Sequence, residues 1–218
     1  MNTDKNLQST IDKRLERVKK ALEQNNMNAF IAKDSKEACE IAQSLMKEGA
    51  LVGSGGSESL VQCGMIDILR SGKYEYLDRD NTDDVTALYR KTFCADYYLC
   101  SSNAVTENGE LYNVDGRANR VACICYGPTN VIMIVGRNKI VHTLDDAIKR
   151  VKTIAAPANA PRVKVDTYCS HTGICKGVDG CMTDGCTGER ICATYVVCGY
   201  QRVRGRINVI LVDEELGY

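Results

Sequence analysis

Ala50-Leu51-Val52-Gly53-Ser54-Gly55-Gly56-Ser57 decides the fold. A short apolar run ends in a cluster of glycines and serines, and Ser59–Leu69 then reads as a helix. Strand, small-residue turn and helix make the first half of a βαβ unit. The same rhythm extends outward on both sides. Upstream, Met27–Ala32 is a second short apolar run, read as a strand. Asp34 follows as an N-cap, and Glu37 three residues on completes a capping box. Ala38, Ile41, Ala42 and Leu45 supply that helix with a buried face, and Gly49 ends it. Downstream, Tyr74–Leu77 reads as a strand, Asp83–Cys94 as a helix and Asp96–Cys100 as a strand. Short strands alternating with helices predict an α/β fold with a largely parallel sheet flanked by helices.

After Cys100 the pattern changes. Ala104–Glu107 and Leu111–Val114 flank Asn108-Gly109, a type I′ hairpin signal. Val121–Tyr126 and Val131–Val135 read as central strands on either side of Gly127-Pro128. Thr143 caps a helix over Leu144–Ala155, which Ala156-Pro157 should break, and Ile207–Val212 is a last apolar strand. At the front, residues 4–25 form an amphipathic helix with Leu7, Ile11, Leu15, Val18 and Leu22 on one stripe. Such a helix covers the core or makes a homo-oligomer contact, and the pattern does not separate the two. The expectation is one domain over 1–218. It divides into an N-terminal helix (1–26), an α/β core (27–162), a Cys-rich loop (163–206) and a closing strand (207–218).

Charge excludes one class of partner. The 28 basic and 28 acidic residues cancel, and no basic stripe offers itself to a phosphate backbone, so nucleic acid is not an expected partner. Arg202, Arg204 and Arg206 read as the solvated side of an extended segment. Met1–Lys20 is polar and lacks the apolar stretch of a secretory signal, and no run of about 18 apolar residues offers a membrane span. A cytoplasmic, reducing setting is therefore expected, where clustered thiols bind metal or do redox work more often than they form structural disulfides.

Those thiols are Cys169, Cys175, Cys181, Cys186, Cys192 and Cys198, set among glycines with His171 between the first two. Their spacing matches neither the C-x2–4-C of structural zinc nor the C-x2-C of compact ferredoxin runs. Zinc, an iron–sulfur cluster, a redox dithiol and inert thiols all stay open. Four thiolates suffice for a zinc ion or a cubane cluster, and His171 is an alternative ligand. Cys39, Cys63, Cys94, Cys123 and Cys125 fall in apolar elements and read as small core residues.

Two further stretches suggest a ligand site. Gly53–Ser57 lets backbone N–H groups approach an anion. It is neither a P-loop nor a full dinucleotide fingerprint, and no flavin or nicotinamide motif occurs elsewhere. The polar stretch Ser101-Ser102-Asn103 to Glu107 follows a strand, where ligands of open α/β sheets sit. Glu107 is the candidate general base or nucleophile, with solvation beside the hairpin as the competing reading. His142 reads as structural.

Ordered matches then point to a family. Ser101-Ser102-Asn103-Ala104-Val105-Thr106-Glu107-Asn108-Gly109, Asn113-Val114-Asp115-Gly116 and Asn119-Arg120-Val121-Ala122 resemble the LUD-domain proteins, which are associated with lactate utilization. So do Tyr126-Gly127-Pro128, Val135-Gly136-x-Asn138-Lys139-Ile140-Val141, Ala147-Ile148-x-Arg150-Val151-Lys152 and Ala156-Pro157-x-Asn159-Ala160-x-Arg162. The resemblance implies a fold similar to the glucosamine-6-phosphate deaminase, ribose-5-phosphate isomerase and CoA-transferase superfamily. It implies an anionic ligand near Gly53, Ser54, Gly55, Gly56 and Ser57, with Asn103, Asn138 and Lys139 contributing. It also implies a cysteine set of Cys169, Cys175, Cys186 and Cys192, with Cys181 as the alternative third member because this chain carries extra residues there. An electron path from lactate would need a cofactor on a partner, such as an iron–sulfur protein. A stand-alone enzyme of the CoA-transferase or isomerase type, and a redox-sensing scaffold, are the competing expectations.

Overall fold

The computed structural model describes residues 4–218. Its first half runs α1 (Lys5–Gln24), β1 (Asn28–Ala32), α2 (Ser35–Ser44), β2 (Leu51–Ser54), α3 (Glu58–Gln62), α4 (Met65–Arg70), β3 (Glu75–Leu77), α5 (Val85–Thr92) and β4 (Tyr97–Cys100). Next come β5 (Ala104–Thr106), β6 (Leu111–Asp115), α6 (Asn119–Cys125), β7 (Asn130–Gly136), β8 (Ile140–Val141) and α7 (Leu144–Arg150). The chain closes with α8 (Ala156–Arg162), α9 (Tyr168–Thr172), β9 (Thr194–Cys198) and β10 (Ile207–Val212).

Six strands form one parallel sheet in the order β1-β10-β7-β4-β2-β3. The α/β expectation holds. The last strand in sequence lies inside the sheet, between β1 and β7, and all of its residues are buried. One face packs through Val131, Met133, Val135, Val209 and Leu211 against α1 and the second sheet. The other packs through Ile132, Ile134, Ile210 and Val212 against α2, α3 and α4. Burial on both faces explains why β7 and β10 read as unbroken apolar runs.

The second sheet is smaller, with four strands in the order β8-β5-β6-β9. Only its β5–β6 hairpin was legible in sequence, because β9 lies within the Cys-rich stretch. The turn differs from the expected type I′, which needs positive φ at both central residues. Here Gly109 alone has positive φ (78°), and its N–H donates to the Thr106 carbonyl at 2.9 Å. This is a type I turn followed by a left-handed glycine. Helix α1 requires the glycine, since a Cβ at Gly109 would lie 2.6 Å from the Ala21 backbone.

Helix α1 covers the core. Asp4 caps it, and Leu15, Val18 and Leu22 of its stripe are buried, leaving Leu7 exposed. Residues 1–3 of the expected N-terminal segment lie outside those described.

Three elements differ from the sequence reading. Val121–Tyr126 is not a central strand; it falls in α6, because Asp115 Oδ2 accepts from the N–H groups of both Arg120 and Val121, at 2.9 and 3.0 Å. That remote carboxylate starts a helix which local β-branched content argued against. The helix expected over Ser59–Leu69 breaks into α3 and α4 at Gly64, whose φ is 82°. Ala156-Pro157 does not end the helix from Leu144. A π-turn over Val151–Ala155 carries α7 into α8. In that wider register the N–H missing at Pro157 would have faced the Lys152 carbonyl. Cys175 N–H bonds that carbonyl instead, at 3.0 Å.

Candidate functional site

The carboxyl ends of β2, β4 and β7 open into a cleft of about 370 Å3. Ligands of open α/β sheets bind at such strand ends. Gly56 and Ser57 enter from the turn after β2, and Ser101, Ser102 and Asn103 from the turn after β4. Lys139 comes from the segment after β7, and Asp115, Arg117 and Arg120 from the junction of β6 and α6. Two segments far apart in sequence, Gly56–Ser57 and Ser101–Asn103, thus meet across one wall.

Arg120 organises that wall. Its guanidinium donates to Asp115 Oδ1 (2.9 Å), Asn113 Oδ1 (2.5 Å), Asn103 Oδ1 (2.8 Å) and the carbonyls of Ser101 and Val114 (both 3.1 Å). Gly55 makes room for it, since a Cβ there would lie 3.1 Å from Arg120 Cδ and 2.9 Å from the Tyr98 hydroxyl. Arg150, also buried, ties the strand ends together by donating to the carbonyls of Asn103 (2.6 Å) and Asn138 (3.1 Å). Burial lowers its pKa to about 10.

Lys139 is 3% exposed. Its ammonium nitrogen bonds Ser59 Oγ at 2.7 Å and Ser101 Oγ at 3.1 Å. Burial, then the charges of Arg150 and Arg120, lower its pKa to about 7.

Other expected residues sit elsewhere. Gly53 lies within β2, where a Cβ would fall 2.5 Å from Thr92 Cγ2, so its smallness serves packing against α5. Ser54 Oγ pairs with the Tyr76 hydroxyl at 2.7 Å. Asn138 clamps the segment after β10: Nδ2 donates to the Gly217 carbonyl (2.9 Å) and Oδ1 accepts from Leu216 N–H (3.1 Å). Glu107 does not line the cleft. It accepts from Arg14 Nε at 2.7 Å and Arg17 Nη2 at 3.4 Å, joining the hairpin to α1. Burial opposes its ionisation, but the hydrogen bond and charge of Arg14, then Arg17, hold its carboxyl below the usual range. Arg79, Arg117 and Arg162 line the cleft; Arg162 fell within a family motif, but none of the three was read as a ligand residue. They arrive from three separate loops and helices, and only their convergence marks them.

Behind one wall lies a void of about 20 Å3, lined by Cys169, Cys175, Cys186 and Cys192. Cys181 is exposed and Cys198 is buried in the core beside β6, so neither lines it. His171 is exposed and pairs with Asp166 at 2.7 Å. Burial, then neighbouring Cys175, Cys169 and Cys186, pushes the Cys192 thiol up to about 12. Among the described residues no three His, Cys, Asp or Glu side chains close into metal-ligating geometry. The four thiols surround the void without converging on a point. Lys152 shapes the loop around them by donating to the carbonyls of Gly177 and Cys181, each at 2.5 Å. Cys192 also lines the main cleft, so the two spaces share a wall.

A family model described as the LUD domain matches residues 15–212. No curated protein matches the chain. Among solved structures, the crystal structure of a DUF162 family protein from Deinococcus radiodurans is similar, at 15% sequence identity and a TM-score of 0.53. The match covers 93% of this chain and 98% of that one, and it shows the shared fold. Among the described residues no helix is long and apolar enough to cross a membrane.

Proposed function

Because the chain belongs to the LUD-domain family, we propose that it binds a small anionic metabolite in its cleft and serves in a lactate-utilising or related redox system. The observation that carries the binding reading is the charge of the cleft wall. Arg79, Arg117 and Arg162 outnumber the one unpaired acid of the lining, Glu58, because Asp115 is committed to Arg120. Arg117 is exposed and has no hydrogen-bond partner among the described residues. The volume falls in the range of small-molecule sites, roughly 300–1,000 Å3. The lactate role rests on the family. With no flavin or nicotinamide motif in the chain, an iron–sulfur partner would carry the electrons.

We assign a single soft metal ion, zinc before an iron–sulfur cluster, to Cys169, Cys175, Cys186 and Cys192. Support comes from the donor chemistry and from the void, which has about the room of one water molecule. An ion held by these thiolates would tie the loop together behind the cleft.

Thermal unfolding with inorganic phosphate, L-lactate and pyruvate tests the anion site. An anion at 100 times its Kd adds about 2.7 kcal/mol, or roughly 5–10 °C in Tm for a chain of this size. Arg117→Ala should remove most of the shift. No shift with any anion, or an equal shift in the variant, overturns the reading. Metal and sulfide analysis on protein purified without oxygen tests the thiol site. One zinc per chain lost in Cys186→Ser and kept in Cys181→Ser is the expected result; absence of metal overturns it.

A further inference from the structure

We propose that Lys139 is a nucleophile that condenses with the carbonyl carbon of a small anion held in the cleft, an inference that rests on the anion-binding reading above. The geometry begins with the nitrogen. Lys139 Nζ has three positions besides its own chain. Ser59 Oγ at 2.7 Å and Ser101 Oγ at 3.1 Å occupy two of them. Ser59 Oγ has the Leu216 carbonyl (3.1 Å) and Ser101 Oγ (3.4 Å) as acceptors for its own proton, and Ser101 Oγ lies 3.5 Å from the Ser102 carbonyl, so both hydroxyls can accept from the amine. The third position of a neutral amine is its lone pair. Lys139 lines the cleft, and the residue standing over Nζ is Gly217, where a Cβ would lie 3.3 Å from the nitrogen. Approach to the lone pair is from the cleft that Lys139 lines, with no side chain at Gly217 to cover it.

The surroundings hold the amine in its reactive form. Arg150 from α7 and Arg120 from α6 press against a positive charge on Nζ, with the Cys100 thiol of β4 as the weak opposing group. No carboxylate hydrogen-bonds the nitrogen. A lysine desolvated beside other cations is the setting in which amines act as nucleophiles near neutral pH. Elsewhere on the wall, Arg79, Arg117 and Arg162 suit a carboxylate or phosphate on the same molecule. The ligand class is therefore a small anion bearing an aldehyde or ketone.

The step balances without an oxidant. The Nζ lone pair forms a bond to the carbonyl carbon, and the carbonyl π pair moves to oxygen. Oxygen takes the proton that nitrogen loses. The resulting carbinolamine expels water, leaving a C=N bond to Lys139. One amine and one carbonyl give one imine and one water.

The test uses the whole chain at pH 7 with cyanoborohydride and either pyruvate or glyceraldehyde 3-phosphate, followed by peptide mapping by mass spectrometry. About half of Lys139 is neutral at that pH, against roughly one in a thousand or fewer of a surface lysine, so Lys139 should be reduced about 10²-fold or more faster. An adduct at Lys139 that disappears in Lys139→Arg supports the inference, and the probe that reacts tells a 2-oxo acid from a sugar phosphate. Adducts spread over surface lysines with Lys139 unmodified overturn it. Slowing of the Lys139 adduct by inorganic phosphate serves where the variant does not fold; no slowing counts against the inference. A phosphate-dependent rise in Tm without trapping leaves the anion site standing and removes the nucleophile. Neither effect removes both.

Discussion

Replacing Lys139 by methionine should change how stability depends on pH, with a sign that can be worked out in advance. The side chain is buried, and burial lowers its pKa from 10.5 to about 7 on folding. The unfolded chain therefore binds more protons than the native one between about pH 7 and pH 10.5. Stability rises with pH wherever that holds. The charged form is a native-state burden: it costs up to about 5 kcal/mol below pH 7, from 3.5 pK units at about 1.4 kcal/mol each. The burden lifts as pH climbs toward 10.5. From pH 7 to pH 9 the wild type should gain about 2 kcal/mol through this group alone. Methionine has similar reach and no proton to exchange. At pH 7 Lys139→Met should be more stable by about 2 kcal/mol, after roughly 1 kcal/mol each for the hydrogen bonds lost at Ser59 and Ser101. At pH 9 the two proteins should differ little. Urea unfolding of both at the two pH values is the assay, and the difference between them cancels every other titrating group. Parallel pH dependences, with a gap constant to within about 0.5 kcal/mol, would refute the buried, half-neutral amine.

Two further outcomes follow from named contacts. Lys152→Met removes the cation that gathers the carbonyls of Gly177 and Cys181, so trypsin should cut after Lys176 at least about tenfold faster, read by peptide mapping; an unchanged rate would mean the loop holds itself. Gly109→Ala places a methyl against the Ala21 backbone at a φ of 78°, and a loss of about 2–4 kcal/mol, or roughly 4–16 °C in Tm, should appear in calorimetry; a loss under 1 kcal/mol would mean α1 yields there.

By itself the sequence determined the alternation that makes an α/β sheet and the limits of most of its elements. Those signals are local. Asp34 with Glu37, the run Ile207–Val212 and the spacing of Leu15, Val18 and Leu22 each act within a few residues of one another. The family also lay within reach of the sequence, because ordered short motifs survive where overall identity does not.

Tertiary structure decided what depends on distant partners. Val121–Cys125 has the branched content of a strand, yet Asp115 caps it into a helix. Pro157 reads as a helix stop, yet a π-turn and the Cys175 N–H absorb the missing donor. Glu107 looked free for chemistry until α1 brought Arg14 to 2.7 Å. Gly53–Ser57 read as one ligand loop, yet Gly56 and Ser57 line the cleft while Gly53 serves packing and Ser54 bonds Tyr76. The cleft cations come from separate segments, and a charge has no periodicity to betray where it will point. Lys139 is the sharpest case. In sequence it is one lysine among many; only burial, Arg150 and Arg120, with serines from α3 and the turn after β4, shift it toward the neutral amine, because the cost of desolvating a charge exists only once the chain has closed around it.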